Sequence, residues 1–230
     1  LTFSEEECTS PVWSPDGARV VYSASPQHGR RQNDLYSLTV GVNGAHGAPQ
    51  RLTPDDNVEC WSPAFSPDGA RMALLSNRSG FDELWLMASD GTRLTQLTQL
   101  GRDIEEFVWL ADGARLVTLV NQDACDVLYI INANDGSAQR VNCPPGNFST
   151  LQRCADPDAL IAGYDAPASA PALYRVELSS GAMQALTNAC AAALDQVPFV
   201  TPEHVRYVSG DGWDIPALLY TPPGGLEDAR

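Results

Sequence analysis

The side chains with chemical potential in this chain of 230 residues are mostly carboxylates. Glu105-Glu106 is a vicinal pair, and Glu7, Glu59 and Asp103 each stand six residues before an aromatic, Trp13, Phe65 and Trp109. Carboxylates gathered at a cavity would hold an ammonium group; the plainer reading is that they solvate loops. Arg30-Arg31 would attract a carboxylate or an acyl oxygen, with solvated loop arginines as the plainer reading there too. The three histidines, His28, His46 and His204, are scattered, and no Ser or Cys carries a surrounding motif that would make one of them a general base. No Gly-x-Ser-x-Gly occurs, the strand-to-helix turn that exposes a serine nucleophile beside backbone N–H donors. Catalysis by this chain alone is therefore not expected. Six cysteines, Cys8, Cys60, Cys125, Cys143, Cys154 and Cys190, include no Cys-x-x-Cys pair and no His at metal-ligand spacing, so neither a structural metal nor another cofactor is expected. Scattered thiols fit a reducing compartment, where free Cys packs as a small hydrophobe, and a cytoplasmic protein is expected.

What must position these residues is a repeat. Ser10-Pro-Val-Trp-Ser-Pro-Asp-Gly-Ala-Arg19, Ser62-Pro-Ala-Phe-Ser-Pro-Asp-Gly-Ala-Arg71 and Glu106-Phe-Val-Trp-Leu-Ala-Asp-Gly-Ala-Arg115 are one pattern written three times. Each unit closes on Gln50-Arg-Leu-Thr53, Thr95-Gln-Leu-Thr98 or Gln139-Arg-Val-Asn142, and a fourth closure, Gln184-Ala-Leu-Thr187, lacks a clean opening. The closing apolar residues Leu52, Leu97, Val141 and Leu186 follow one another at steps of 45, 44 and 45. Such a period, built from short strands without helical periodicity, belongs to the blades of a β-propeller.

Within a unit, Ser66-Pro-Asp-Gly69 reads as a hairpin turn: Pro presets φ, Asp caps the turn, and Gly takes the positive φ. The next run, Met72-Ala-Leu-Leu75, is apolar on both faces and so must be covered on both. A third strand follows in every unit, at Leu35-Tyr36, Leu84-Trp85, Leu128-Tyr129 and Leu173-Tyr174, then a turn ending at Gly91, Gly136 or Gly181 in the later units, then the closing strand. The fold class is thus all-β, a propeller of four-stranded blades. Blades are expected at about 3–53, 54–98, 99–142 and 143–187, with Leu1-Thr2 as the remnant of an earlier blade and 188–198 as a linker, so that the propeller part spans 1–198. Recurrence of Arg19, Arg71 and Arg115, and of Asp82 and Asp126, argues for a structural pair, because a substrate site needs its residue once.

Residues 199–230 fall outside the blade frame. Glu203-His-Val-Arg-Tyr-Val-Ser-Gly-Asp-Gly-Trp-Asp-Ile-Pro-Ala-Leu-Leu-Tyr-Thr-Pro-Pro-Gly-Gly225 reads as two alternating strands around Gly210-Asp211-Gly212. This tail resembles the entry to the α/β-hydrolase domain of prolyl oligopeptidase-family serine peptidases, most nearly the acylaminoacyl-peptidase branch. The blades are similar to propellers of that family and to TolB-like propellers, which share the Ser-Pro-Asp-Gly turn. The resemblance implies a non-catalytic, substrate-gating propeller for a peptidase acting on short peptides, joined to the first strands of its hydrolase domain. It implies as partners that catalytic domain and further N-terminal blades; four blades flanked by the remnant of an earlier one read as an open arc, whose gap those blades or a second copy of the chain in a homo-oligomer are expected to fill. Dipeptidyl peptidases of the family hold the substrate ammonium with a glutamate pair, which Glu105-Glu106 resembles, although theirs lies on a helical insertion and this one abuts a blade strand. The competing reading is a TolB-like scaffold for protein partners, which has no use for the tail.

Lys and Arg number 14 against 29 Asp and Glu, a net charge of −15 that argues against nucleic acid and anionic membrane surfaces as partners. No apolar run approaches the length of a membrane-spanning helix. In an up-and-down blade the connections between blades and the middle hairpin emerge on one face, so the acidic connections and the Arg30-Arg31 insertion share a face. The hydrolase domain is expected over that face.

Overall fold

A computed structural model describes residues 7–25, 33–42, 44–54, 56–123, 125–167, 169–187 and 200–221, with the backbone alone at 45 and 46. Every regular element among them is a strand. The first sheet is β1 (Glu7–Trp13), β2 (Arg19–Ser25), β3 (Asp34–Gly41) and β4 (Gly44–Arg51), and the second is β5 (Cys60–Phe65), β6 (Arg71–Ser76), β7 (Glu83–Ala88) and β8 (Thr95–Gln96). The third holds β9 (Ile104–Trp109), β10 (Arg115–Gln122), β11 (Cys125–Asn132) and β12 (Ala138–Arg140), and the fourth β13 (Asn147–Arg153), β14 (Ala159–Ala166), β15 (Ser169–Glu177) and β16 (Met183–Ala185). Each pairs its strands in chain order, and a separate hairpin joins β17 (Glu203–Val208) to β18 (Asp214–Leu219). The chain divides into two compact units, Leu1–Thr118 with Ile130–Gln139, and Leu119–Tyr129 with Arg140–Arg230.

The Ser-Pro-Asp-Gly turn works as a small polar lock. Ser66 Oγ donates to Asp68 Oδ1 at 2.6 Å and accepts the Arg71 N–H at 3.0 Å, while the Ala70 N–H donates to the same carboxylate at 3.0 Å. Gly69 sits at φ 71, where a side chain would be strained. Ser14, Asp16 and Gly17 repeat the arrangement in the first sheet. The hydroxyls of Ser14 and Ser66, followed by the backbone N–H groups of Ala18 and Ala70, hold Asp16 and Asp68 below the ordinary carboxylate value. The third unit has Leu110 where the others have serine, and there Asp112 instead takes a salt bridge from Arg115 Nε at 2.6 Å.

The closing Leu-Thr is equally mechanical. The N–H groups of Leu52, Leu97, Val141 and Leu186 donate to the carbonyls of Leu35, Leu84, Leu128 and Leu173, each at 2.8 Å. Thr98 Oγ1 accepts the Leu84 N–H at 2.9 Å and donates to Glu83 Oε2 at 2.5 Å; Thr53 does the same with Leu35 and Asp34. The repeated threonine thereby satisfies the N–H of the second residue of a third strand and the buried acid that opens that strand.

The inner strands are covered on both faces, as their composition requires. Val21 of β2 packs with Cys60, Met72 and Leu74, whereas Val20, Tyr22 and Ala24 cluster with Leu38; successive side chains on a strand point to opposite faces. The recurring arginines are structural, but they do not pair with the recurring aspartates. Arg71 donates to Ala133 O at 2.9 Å and Gly113 O at 2.7 Å, and its guanidinium lies 5.2 Å from the Trp109 ring centroid. Trp109 Nε1 in turn donates to Ala64 O at 3.0 Å. Arg71→Met is expected to lower stability by about 2–3 kcal/mol, since two carbonyls lose a charged donor and the ring loses its cation. Arg175→Met removes only partly exposed pairs, to Asp156 and Glu177, and should cost about 1 kcal/mol or less. Urea melts of the two variants check the contrast, and equal midpoints would contradict it.

Candidate functional site

The chemistry-bearing residues collect at two places, one in each unit. In the first unit, Asp103 lies just before β9 and Glu59 just before β5. Asp103 Oδ1 accepts the Asp82 N–H at 2.9 Å, and Glu59 exchanges bonds with the Asn77 amide, its N–H donating at 3.3 Å and its Oε2 accepting at 3.2 Å. Burial first, then the carboxylates of Asp103 and Glu59, push Asp82 above its ordinary value. Asp103 and Glu59 thus tie the connections they stand in to the β6–β7 turn.

Glu105 and Glu106 occupy consecutive positions of β9, Glu105 exposed and Glu106 half-buried. Neighbouring strand residues face opposite sides of a sheet, so the two side chains leave β9 in opposite directions. Arg30 and Arg31 lie outside the described residues, as do His28 and Cys190, and His46 is described by its backbone alone.

In the second unit a cleft of about 390 Å³ opens between the turn joining β10 to β11, the connection from β12 to β13, and the β17–β18 hairpin. Asp123 lines it from the turn, Cys125 and Asp126 from the start of β11, Cys143 and Pro145 from the connection, and His204 from the hairpin. Each wall follows from local chemistry. Asp126 accepts the Phe148 N–H at 2.7 Å and donates its own N–H to Gly146 O at 3.1 Å, which ties the turn to the connection. Tyr164 closes the same corner, donating to Pro145 O at 2.9 Å with its ring 5.0 Å from Phe148 and 5.4 Å from Tyr174. The hairpin enters through Arg206, which reaches Asp123 Oδ1 at 3.2 Å, and through His204 Nε2, 3.4 Å from Cys125 Sγ.

A thiol beside an imidazole suggests a nucleophile, but the surroundings oppose it. Burial, then Asp126 and Asp123, push the Cys125 thiol upward, and burial carries Cys143 to about 11. Thiols so placed are protonated at neutral pH, and the thiolate is the nucleophilic form. Among the described residues no group of three or more His, Cys, Asp or Glu is arranged to hold a metal ion. The sequence carries no signal for the cleft, because its walls bring Cys125 to His204 across 79 residues of chain.

Comparison with known proteins is informative at this point. The family model described as TolB beta propeller domain matches residues 1–209. Dipeptidyl-peptidase 5 of Porphyromonas gingivalis is 33% identical over 222 residues, which is 92% of this chain and 32% of that protein. Among solved structures, a puromycin hydrolase superposes with a TM-score of 0.72 at 19% identity, over 94% of this chain and 34% of the other. A putative TolB from Agrobacterium tumefaciens gives a TM-score of 0.64 at 16% identity, over 78% of this chain and 65% of that one. The chain spans about a third of the length of the peptidases it matches. Among the described residues no helix is long and apolar enough to cross a membrane.

Proposed function

The chain belongs to the TolB beta propeller domain family, and from that premise we propose that it is a propeller portion of a prolyl oligopeptidase-family serine peptidase followed by the first strands of the catalytic domain. The observation that carries this reading is the β17–β18 hairpin. It lies outside the four blade sheets, although its Ser209, Asp211 and Gly212 rebuild the hydroxyl lock of the blade turns, and none of its strand residues is buried; Trp213 and Val208 are 72% and 70% exposed. An isolated two-stranded hairpin is at best marginally stable in water and needs further strands or a packed layer to hold it. The opening strands of an α/β-hydrolase sheet would have such neighbours. The match to a dipeptidyl peptidase along 92% of the chain supports the same assignment.

On this reading residues 1–198 are propeller and 199–230 begin the catalytic domain. The propeller excludes bulky substrates and admits short peptides to a nucleophile that the rest of the protein supplies, with acylaminoacyl-peptidase-like specificity. Glu105, Glu106, Arg30 and Arg31 are the side chains proposed to meet the peptide's charged ends. A cytoplasmic location accords with free thiols at the five described cysteines. Further blades or a second copy are the proposed cover for Trp13, which is 56% exposed where Trp109, at the same place in the repeat, is 2% exposed. A TolB-like scaffold for protein partners is the second reading, favoured by the superposition on a TolB structure, but it gives the hairpin no task.

The test uses the protein as isolated from its source. A fluorophosphonate probe should label it, and it should cleave a short peptide while leaving intact a folded protein that carries the same peptide in a surface loop. The 230-residue chain alone should take up no label. Equal cleavage of both substrates would end the gating role, and absence of labelling in the isolated protein would end the peptidase assignment.

A further inference from the structure

Leu35, Leu84, Leu128 and Leu173 hold one place in the repeat, and the residues before them are Asp34, Glu83, Val127 and Ala172. In the first sheet Thr53 Oγ1 donates to Asp34 Oδ1 at 2.8 Å, and Arg51 Nη2 lies 2.7 Å from Asp34 Oδ2. Arg51 precedes the closing Leu52; the residues before Leu97, Val141 and Leu186 are Gln96, Arg140 and Ala185. The third sheet therefore keeps the arginine and lacks the acid, whereas the fourth lacks both. Arg140 is exposed at the end of β12, and no hydrogen bond or ion pair engages it among the described residues. It lines the cleft of about 390 Å³ together with Val127, Cys143 and Pro145. The acids of the cleft are already occupied: Asp126 accepts from the Phe148 N–H and the Asn121 amide, and Asp123 from Arg206.

We propose that the cleft binds a small organic carboxylate, which gives Arg140 the partner that Asp34 gives Arg51 in the first sheet. A guanidinium presents parallel N–H donors that match the two oxygens of a carboxylate, and this one has no internal acid to hold it. The remainder of the ligand meets Val127, Cys143 and Pro145, so a compact aliphatic body fits there and a second charge does not. The volume lies within the range of small-molecule sites, about 300–1,000 Å³. A short branched acid and the C-terminus of a peptide ending in an aliphatic residue share this chemistry.

The test uses the full-length protein and two photoreactive probes, N-acetyl-photoleucine, which has a free carboxylate and a side-chain diazirine, and its uncharged carboxamide. Light expels dinitrogen from the diazirine, and the carbene inserts into a neighbouring C–H, N–H, O–H or S–H bond, so peptide mass analysis reads the site. Saturable labelling by the acid is expected within residues 122–128 or 140–145, with the carboxamide about tenfold weaker, the scale of one charged hydrogen bond. Arg140→Gln should raise the acid's half-saturation about tenfold and leave that of the carboxamide unchanged. Val127→Asp restores the acid of the first sheet, gives Arg140 an internal partner and should abolish saturable labelling. A thermal melt checks that this variant folds, and Arg140→Gln, at an exposed site, decides the matter if it does not. Competition separates the sources: displacement by 4-methylpentanoate assigns a free acid, and displacement only by a peptide ending in leucine assigns a chain terminus. Equal labelling by the two probes, an unchanged half-saturation in Arg140→Gln, saturable labelling confined to other segments, or displacement by neither competitor would overturn the site.

Discussion

Replacing Gly136 by Ala should destabilise the protein by about 2–5 kcal/mol, combining about 1–2 for a left-handed backbone with about 1–3 for forced overpacking. Gly136 sits at φ 72, and a Cβ there would stand 1.9 Å from Leu97 O, which belongs to backbone and cannot swing aside. Gly181 repeats the case, at φ 72 with Asn142 O 2.1 Å from the added carbon. Gly91 holds the same place one repeat earlier but meets the side-chain Leu52 Cδ2 at 2.9 Å, a contact that yields more easily. Gly69 is different again. Its φ of 71 carries the strain, yet an added carbon meets the Pro15 ring, with Cγ nearest at 3.2 Å, so Gly69→Val should cost about 1–3 kcal/mol. Thermal melts of the four variants should rank Gly136 and Gly181 above Gly91 and Gly69. Equal losses at Gly136 and Gly69 would mean that the backbone does not approach so closely.

Thr98→Val should cost about 2–4 kcal/mol, because the change strands a buried carboxylate and a buried N–H together. Glu83, 1% exposed, receives Thr98 Oγ1 on one oxygen at 2.5 Å and the Gly101 N–H on the other at 2.8 Å. Valine has the shape of threonine but can neither donate to Glu83 nor accept from Leu84. Thr98→Ser keeps the hydroxyl and should recover most of the loss. Thr187 accepts the Leu173 N–H at an exposed site, where water replaces the hydroxyl, so Thr187→Val should cost under about 1 kcal/mol. Urea midpoints for the three variants test the scheme; a Thr187→Val loss as large as that of Thr98→Val would refute it.

The roles of these residues were unevenly legible. The hydroxyl lock of Ser66, Asp68 and Gly69 follows from turn chemistry within six residues, and the third unit's departure from it is announced by Leu110 in the serine position. The closing threonine recurs visibly in the sequence, but its purpose appears only when Glu83 and Leu84 are seen beside Thr98. Recurrence of Arg19 and Arg71 signals structure, yet their acceptors are carbonyls 70 and 62 residues away, at Ser89 and Ala133. A carbonyl carries no side-chain signature, so no sequence pattern could name it.

By itself the sequence determined the strand content, the four-strand repeat, the hairpin at Gly210-Asp211-Gly212 and the burial of the inner strands, because turns and alternation are local and act over a few residues. Tertiary structure decided why glycine is required at Gly136 and Gly181 and where the arginines end. It also decided that Cys125 meets His204 across 79 residues of chain. Those features depend on close approach between segments distant in sequence, and close approach is a property of packing, on which the order of residues is silent.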